Sequence, residues 1–294
     1  MADKRKKRRN RIRRRTYFLL FRMLVLVMII MTGIALLGQM TVSRAAGEDK
    51  QKFYDRGTEA DTEPAIMEDV TDNTLLEKEI AAYAGKKGYS LKDYTQDLIR
   101  LYEKNEEARQ FVLEYPLKKN QNYEIDLSNY RDTDTIPLFM QWDERWGYSQ
   151  YAGNVFGLTG CGPTCLSMIA VYLTGDDSMN PKWMAEFATN KGFYEEGSGS
   201  TWTLMSEGGA LLGLGVKELP LNEERIIDNL LVHNPIVCIM GPGDFTDSGH
   251  FIILTDYENG AFRINDPNSR KNSEKLWSFE ELRYQIRNLW VFWN

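Results

Sequence analysis

Cysteine and histidine are scarce here, at three and two among 294 residues. Cys161, Cys165 and Cys238 form no evenly spaced set, so no disulfide framework holds the chain together. No CxxC pair or HExxH run marks a zinc site, and no GxxxxGK[ST] loop is present to cradle a nucleotide. Nothing in the sequence calls for a metal or a cofactor. Imidazole chemistry near neutral pH has only His233 and His250 to draw on.

Charge is abundant but unevenly placed. Residues 1–15 carry ten Lys or Arg against one acid, Asp3, a net of +9. The whole chain sums to −6, which leaves −15 for the remainder. The basic run abuts an apolar stretch, 17–40, with no charge between Met23 and Leu37, long enough to span a bilayer core of roughly 30 Å. Arg22 lies at its basic end and can snorkel to the headgroups. By the positive-inside rule residues 1–16 are a cytoplasmic tail, 17–40 a transmembrane helix, and everything after it lies outside the cytoplasm. The alternative is a secretory signal cleaved near Ala45, since Ser43-Arg44-Ala45 offers small residues where a signal peptidase needs them. Either way the body is exported. A basic run joined to a spanning helix is explained by topology and anionic lipid, so no nucleic-acid partner is expected.

Residues 41–72 read as an acidic, solvated linker. Residues 73–130 then show helical spacing. Leu75, Leu76, Ile80 and Tyr83 form one helix ending near Gly85 or Gly88. Ser90 with Asp93 caps a second, and a third runs from about Glu106 to Tyr115, stopping before Pro116. This region is either a small bundle packed on the second unit or a platform for a partner or substrate. That second unit, 131–294, opens with helices after Cys161, around 182–189, from Ser200 or Thr201 with Leu204, Met205, Ala210 and Leu211 inward, and over 222–231. It closes with strands: 235–240, 251–257 and 261–265 around the turn Asn259-Gly260, and 289–293. Helices first and an antiparallel sheet afterward make the fold class α+β.

The segment Gly160-Cys161-Gly162-Pro163-Thr164-Cys165-Leu166 carries the chemistry. It sets Cys161 in the first turn of a helix, where the positive end of the dipole favours thiolate over thiol. Pro163 suits an early helical position. A thiol nucleophile needs a base, and the base needs an orienter. His250 starts a strand after a glycine-punctuated loop, whereas His233 lies in a helix-to-strand turn and reads as a surface residue. Asp266 ends the strand paired with the one that His250 starts, so a hairpin brings them side by side; a plain strand-ending turn is the other reading, and Asp256 lies at the far end. The Cys161 N–H and an upstream glutamine, Gln141 or Gln150, are candidate oxyanion donors, with Gln141 preferred because an apolar run precedes it. Cys165 and Cys238 read as buried small hydrophobes.

Four stretches, Ile136–Trp146, Gly160–Met168, Gly241–Leu254 and Asn265–Ser269, resemble the C39-like cysteine peptidases. These are the papain-like group related to peptidases that trim double-glycine leaders. The segment Phe111–Pro116 resembles the stretch before the domain in membrane-anchored Gram-positive members. The resemblance implies a papain-like fold over 131–294, with the nucleophile on the first helix and an antiparallel sheet behind it. It also implies Cys161 as nucleophile, His250 as base, Asp266 as its orienter and Gln141 in the oxyanion site. Leader peptidases of this kind are fused to an ATP-driven exporter and act in the cytoplasm. This chain has no nucleotide motif and the opposite expected sidedness, so the double-glycine substrate does not carry over. The expected activity is hydrolysis of peptide or amide bonds through a thioester outside the cell. The partner would be an exported peptide or protein, cell-wall peptide included. A module that binds peptide without cutting it is the reading of another class.

Overall fold

The computed structural model describes residues 65–131 and 133–294. The basic tail, the apolar stretch 17–40, the cleavage position near Ala45 and most of the acidic linker lie outside the described residues. Among the described residues no helix is long and apolar enough to cross a membrane. Residues 67–294 form one compact unit.

Helix α1 (Ala65–Lys86) begins inside the stretch that composition reads as linker. Ser90 and Asp93 do form a capping box, with the Ser90 N–H donating to Asp93 Oδ2 at 2.8 Å. What they open is a single 3-10 turn, Leu91–Asp93. Helix α2 (Gln96–Lys104) starts afresh behind Thr95, whose Oγ1 accepts from Leu98 N–H. Helix α3 (Arg109–Lys118) runs through Pro116 rather than stopping before it. In the last turn a proline removes only one helical hydrogen bond, and burial of Tyr115 and Pro116 itself offsets that.

These helices bury Ile80, Leu98, Phe111 and Val112 in a core shared with Met140, Trp142 and Tyr148 of the second unit. The Phe111 and Tyr148 rings stack at 4.4 Å and 13°. The helical region is therefore packed on its neighbour.

A two-residue hairpin, β1 (Gln150–Tyr151) with β2 (Asn154–Val155), leads through the short helix α4 (Phe156–Thr159) into α5 (Cys161–Thr174). Residues 162–171 of α5 are all buried, and Gly175 ends it in the left-handed region. Helix α6 (Pro181–Lys191) has Asn180 as its N-cap and Pro181 in its first turn. Then come the hairpin β3 (Tyr194–Glu195) with β4 (Gly199–Ser200), and a π-helical turn, Leu204–Gly208, running into α7 (Gly209–Leu211). The wider π turn shifts the helix's phase. Leu204 and Met205 face inward as expected, but Gly208 and Gly209 take the inward positions that spacing assigns to Ala210 and Leu211, and Leu211 is exposed.

The main sheet contains β5 (Gly215–Glu218), β6 (Ile236–Met240), β7 (His250–Glu258), β8 (Ala261–Asn265) and β9 (Ile286–Trp293), in the order β5-β9-β6-β7-β8, antiparallel throughout. Helix α8 (Glu223–Leu230) precedes β6, and α9 (Arg270–Glu274) and α10 (Phe279–Arg283) lie between β8 and β9. Alternate residues feed two cores. Val237, Ile239, Phe251, Ile253, Trp290 and Phe292 pack toward α5 and α6. Ile236, Cys238, Met240, Ile252 and Leu254 pack on the other face with Ile226, Leu230 and Leu282. The fold is thus α+β, with α5 on one face of an antiparallel sheet.

Candidate active site

Cys161 is the first residue of α5, and its side chain is partly exposed, unlike the wholly buried residues after it. A first-turn amide has no intrahelical acceptor, so the Cys161 N–H faces forward with the positive end of the helix. Gly162 is required by close approach, because a Cβ there would overlap Ser200 Oγ at the end of β4. That hydroxyl is also 2.7 Å from Tyr151 Oη, so the β3–β4 hairpin is pinned beside the thiol.

His250 begins β7 and is 6% exposed, and Asp266 stands just past β8 at 1%. The register pairs Ile253 with Asn265, and a bulge lies between Leu254 and Asp256. Asp266 is therefore the first residue beyond the ladder, where its Oδ1 accepts from His250 Nε2 at 2.7 Å. The other imidazole nitrogen is left for Cys161, which is a hydrogen-bond partner of the ring. The sequence-selected sulfur, imidazole and carboxylate are thus brought together.

Their electrostatics run one way. Burial pushes the Cys161 thiol up, but the hydrogen bond and charge of His250, with the N–H groups of Phe251 and Gly162, outweigh it and hold the thiol below its ordinary range. Burial alone would lower the His250 imidazole. The Asp266 charge and hydrogen bond, then the Cys161 contact, raise it to about 10. The arrangement favours a thiolate beside an imidazolium. Burial pushes Cys165 well up, and its Sγ donates to Phe251 O at 3.3 Å, while burial also raises Cys238 within the sheet. Neither is prepared as a nucleophile.

Gln141 is buried, and its N–H donates to Pro267 O at 2.7 Å, tying it to the residue after Asp266. Its Nε2 donates to Gly157 O at 2.8 Å, which leaves one N–H of that amide uncommitted, and its Oε1 has no partner. Gln150 is exposed on β1. His233 is exposed in a turn at φ 62°, and Asp256 is exposed beside the bulge, so neither joins the cluster.

Composition does not reveal what holds Asp266. Its Oδ1 also accepts from Asn268 N–H and its Oδ2 from Asn272 Nδ2, both at 2.8 Å, and its own N–H donates to Ser273 Oγ at 2.9 Å. The run from Asn268 to Ser273 signals a capped turn, and Ser269 is indeed the N-cap of α9. Beside this loop lies a groove of about 740 Å³, walled by α2, by residues 243–248 and by residues 266–272. Among the described residues no group of three or more His, Cys, Asp or Glu side chains is placed to hold a metal ion.

Several solved structures are similar to this chain. The peptidase domain of Streptococcus ComA, a bi-functional ABC transporter involved in quorum sensing, is 20% identical, with 46% of this chain and 90% of that one covered and a TM-score of 0.36. A C39-like peptidase from Bacillus anthracis is 16% identical, with 59% and 98% covered and a TM-score of 0.34. No curated protein matches. The model of the Peptidase_C39 like family matches residues 133–291, more than half of the chain, and the chain belongs to that family.

Proposed function

We propose that this chain is a cysteine peptidase cleaving peptide bonds through a thioester on Cys161, with His250 as base and then acid, Asp266 as orienter, and the Cys161 N–H and Gln141 Nε2 as oxyanion donors. The observation that carries the reading is the buried 2.7 Å contact of Asp266 Oδ1 with His250 Nε2, with Cys161 at the start of α5 beside the ring. The thiolate attacks the scissile carbonyl carbon, and the carbonyl electrons move onto oxygen, where the donors stabilise them. Collapse breaks the C–N bond as the imidazolium gives its proton to the leaving amine. A water, losing its proton to the imidazole, then attacks the thioester carbon; the C–S bond breaks, releasing the acid and restoring the thiolate beside the imidazolium.

The leaving amine must lie beside the imidazolium that protonates it. The groove passes Ser248, two residues before His250, and Asp266, the partner of the imidazole, so it is the candidate path for the leaving-group side of the substrate. The basic tail and apolar stretch of residues 1–40 support a membrane-anchored protein whose catalytic body faces outward. The substrates would then be exported peptides or proteins, cell-wall peptide among them.

The test traps acyl-enzyme on the full-length protein incubated with candidate peptides and locates the added mass. It should fall on Cys161, and Cys161→Ala should form neither adduct nor product. Undiminished product from Cys161→Ala, or alkylation of Cys165 or Cys238 that spares Cys161 in the folded protein, would sink the reading. Peptide binding by both proteins without turnover by either would make the chain a binder.

A further inference from the structure

The loop that orients Asp266 is held by the helical region, about 160 residues earlier in the chain. Asn105 Nδ2 donates to Asn268 O at 2.8 Å and to Asn268 Oδ1 at 3.1 Å. The Glu107 carboxylate accepts three hydrogen bonds, from Ser269 Oγ at 2.8 Å, Arg270 N–H at 3.0 Å and Lys271 N–H at 3.2 Å. The two amides belong to the first turn of α9, whose N–H groups have no intrahelical acceptor, and a carboxylate there is favoured by the dipole as well. The Arg270 guanidinium stands 3.9 Å from Glu107 and lies over the Trp142 ring, which closes the clamp from the other side. Inside it are Asn268 and Asn272, which with His250 bond the Asp266 carboxylate.

We propose that Glu107, assisted by Asn105, is a positioning residue for the reaction: it fixes residues 268–272 so that Asp266 keeps Oδ1 on His250 Nε2. The inference rests on the assignment of Cys161, His250 and Asp266 made above. Without Glu107, three donors turn to solvent, the first turn of α9 loosens, and Asn268 and Asn272 lose their fixed directions. Asp266 then holds His250 less well, and the thiolate loses part of its counter-charge. The ionisable groups facing His250 are Asp266 and Cys161, Cys165 lies within reach of the Asp266 charge, and the charged group facing Glu107 is Arg270. The helical region is then part of the catalytic unit.

The test needs no known substrate. The rate of Cys161 alkylation by iodoacetamide is followed by mass on full-length protein across acid to alkaline pH. Wild type is compared with Glu107→Ala, Glu107→Gln, Asn105→Ala, Asp266→Asn and, as a control, Glu106→Ala. Glu107→Ala should move the onset of alkylation up by about one pH unit, so that labelling on the acid side slows about tenfold. Glu107→Gln, which keeps the shape, should recover part of the shift, Asn105→Ala should show a smaller shift, and Glu106→Ala should match wild type. Unfolded protein exposes all three thiols, so its contribution is recognised by label on Cys165 and Cys238, and the onset is read from protein labelled at Cys161 alone. If Asp266→Asn shifts the onset while every folded Glu107 and Asn105 variant keeps that of wild type, the positioning role is overturned and the triad stands. A wild-type onset in Asp266→Asn itself would remove the triad assignment and the positioning role with it.

Discussion

Asp266 Oδ1 and His250 Nε2 meet at 2.7 Å with both side chains almost wholly withdrawn from water. A buried imidazole without that carboxylate would shed its proton readily. With it, the ring stays protonated far above its ordinary range.

The pairing has a consequence for stability. His250 holds its proton to about 10 in the folded protein against an ordinary value of 6.5. Its contribution is therefore fully present below about pH 6.5 and is lost as pH rises through 10. Chemical denaturation of wild type and Asp266→Asn should show the largest gap in midpoint at the acid end of that window, narrowing toward its alkaline end. A gap independent of pH would deny the charge pairing.

Gln141 tests the oxyanion assignment. Gln141→Ala should lower kcat by about 10²-fold with little change in KM, since a donor aimed at the oxyanion acts only in the transition state. Steady-state kinetics beside a thermal unfolding curve separate this from loss of the Gly157 contact, which would act through stability.

The packing of Gly162 on Ser200 gives a reciprocal pair. Gly162→Ala should cost about 1–3 kcal/mol and reduce activity, because the added methyl overlaps the Ser200 side chain. Ser200→Gly in the same chain should restore much of both. A double-mutant cycle by denaturation checks it, and additive effects would place the strain elsewhere.

Cys238 tests the reading of the silent thiols. Its side chain is wholly buried among apolar neighbours of the second core. Cys238→Ser should destabilise by about 1–3 kcal/mol through burial of a hydroxyl, while a folded Cys238→Ala should keep wild-type thiol reactivity at Cys161. Denaturant midpoints and alkylation mapping read the two outcomes.

Much of this was legible in the sequence because it depends on local chemistry. Cys161 opens its helix, and Asn259-Gly260 turns the β7–β8 hairpin with both residues at positive φ. What escaped was non-local or irregular. The π turn at Leu204–Gly208 rotates Leu211 outward against its spacing. Strand β5 is half exposed and carries little apolar signal, and α3 tolerates Pro116 because only its last turn is affected. Nothing near Glu107 announces that its carboxylate reaches residues 269–271, since that contact exists only after the two regions pack.

The placement of β9 sets an order of assembly. Residues 286–293 slot between β5 and β6, although every other described element precedes them along the chain. Until they arrive, β5 has no strand beside it and one side of β6 is bare. A polypeptide emerging residue by residue would thus carry its thiol on an unfinished scaffold until residues 286–293 had been made, and the cleft could not close around anything before then.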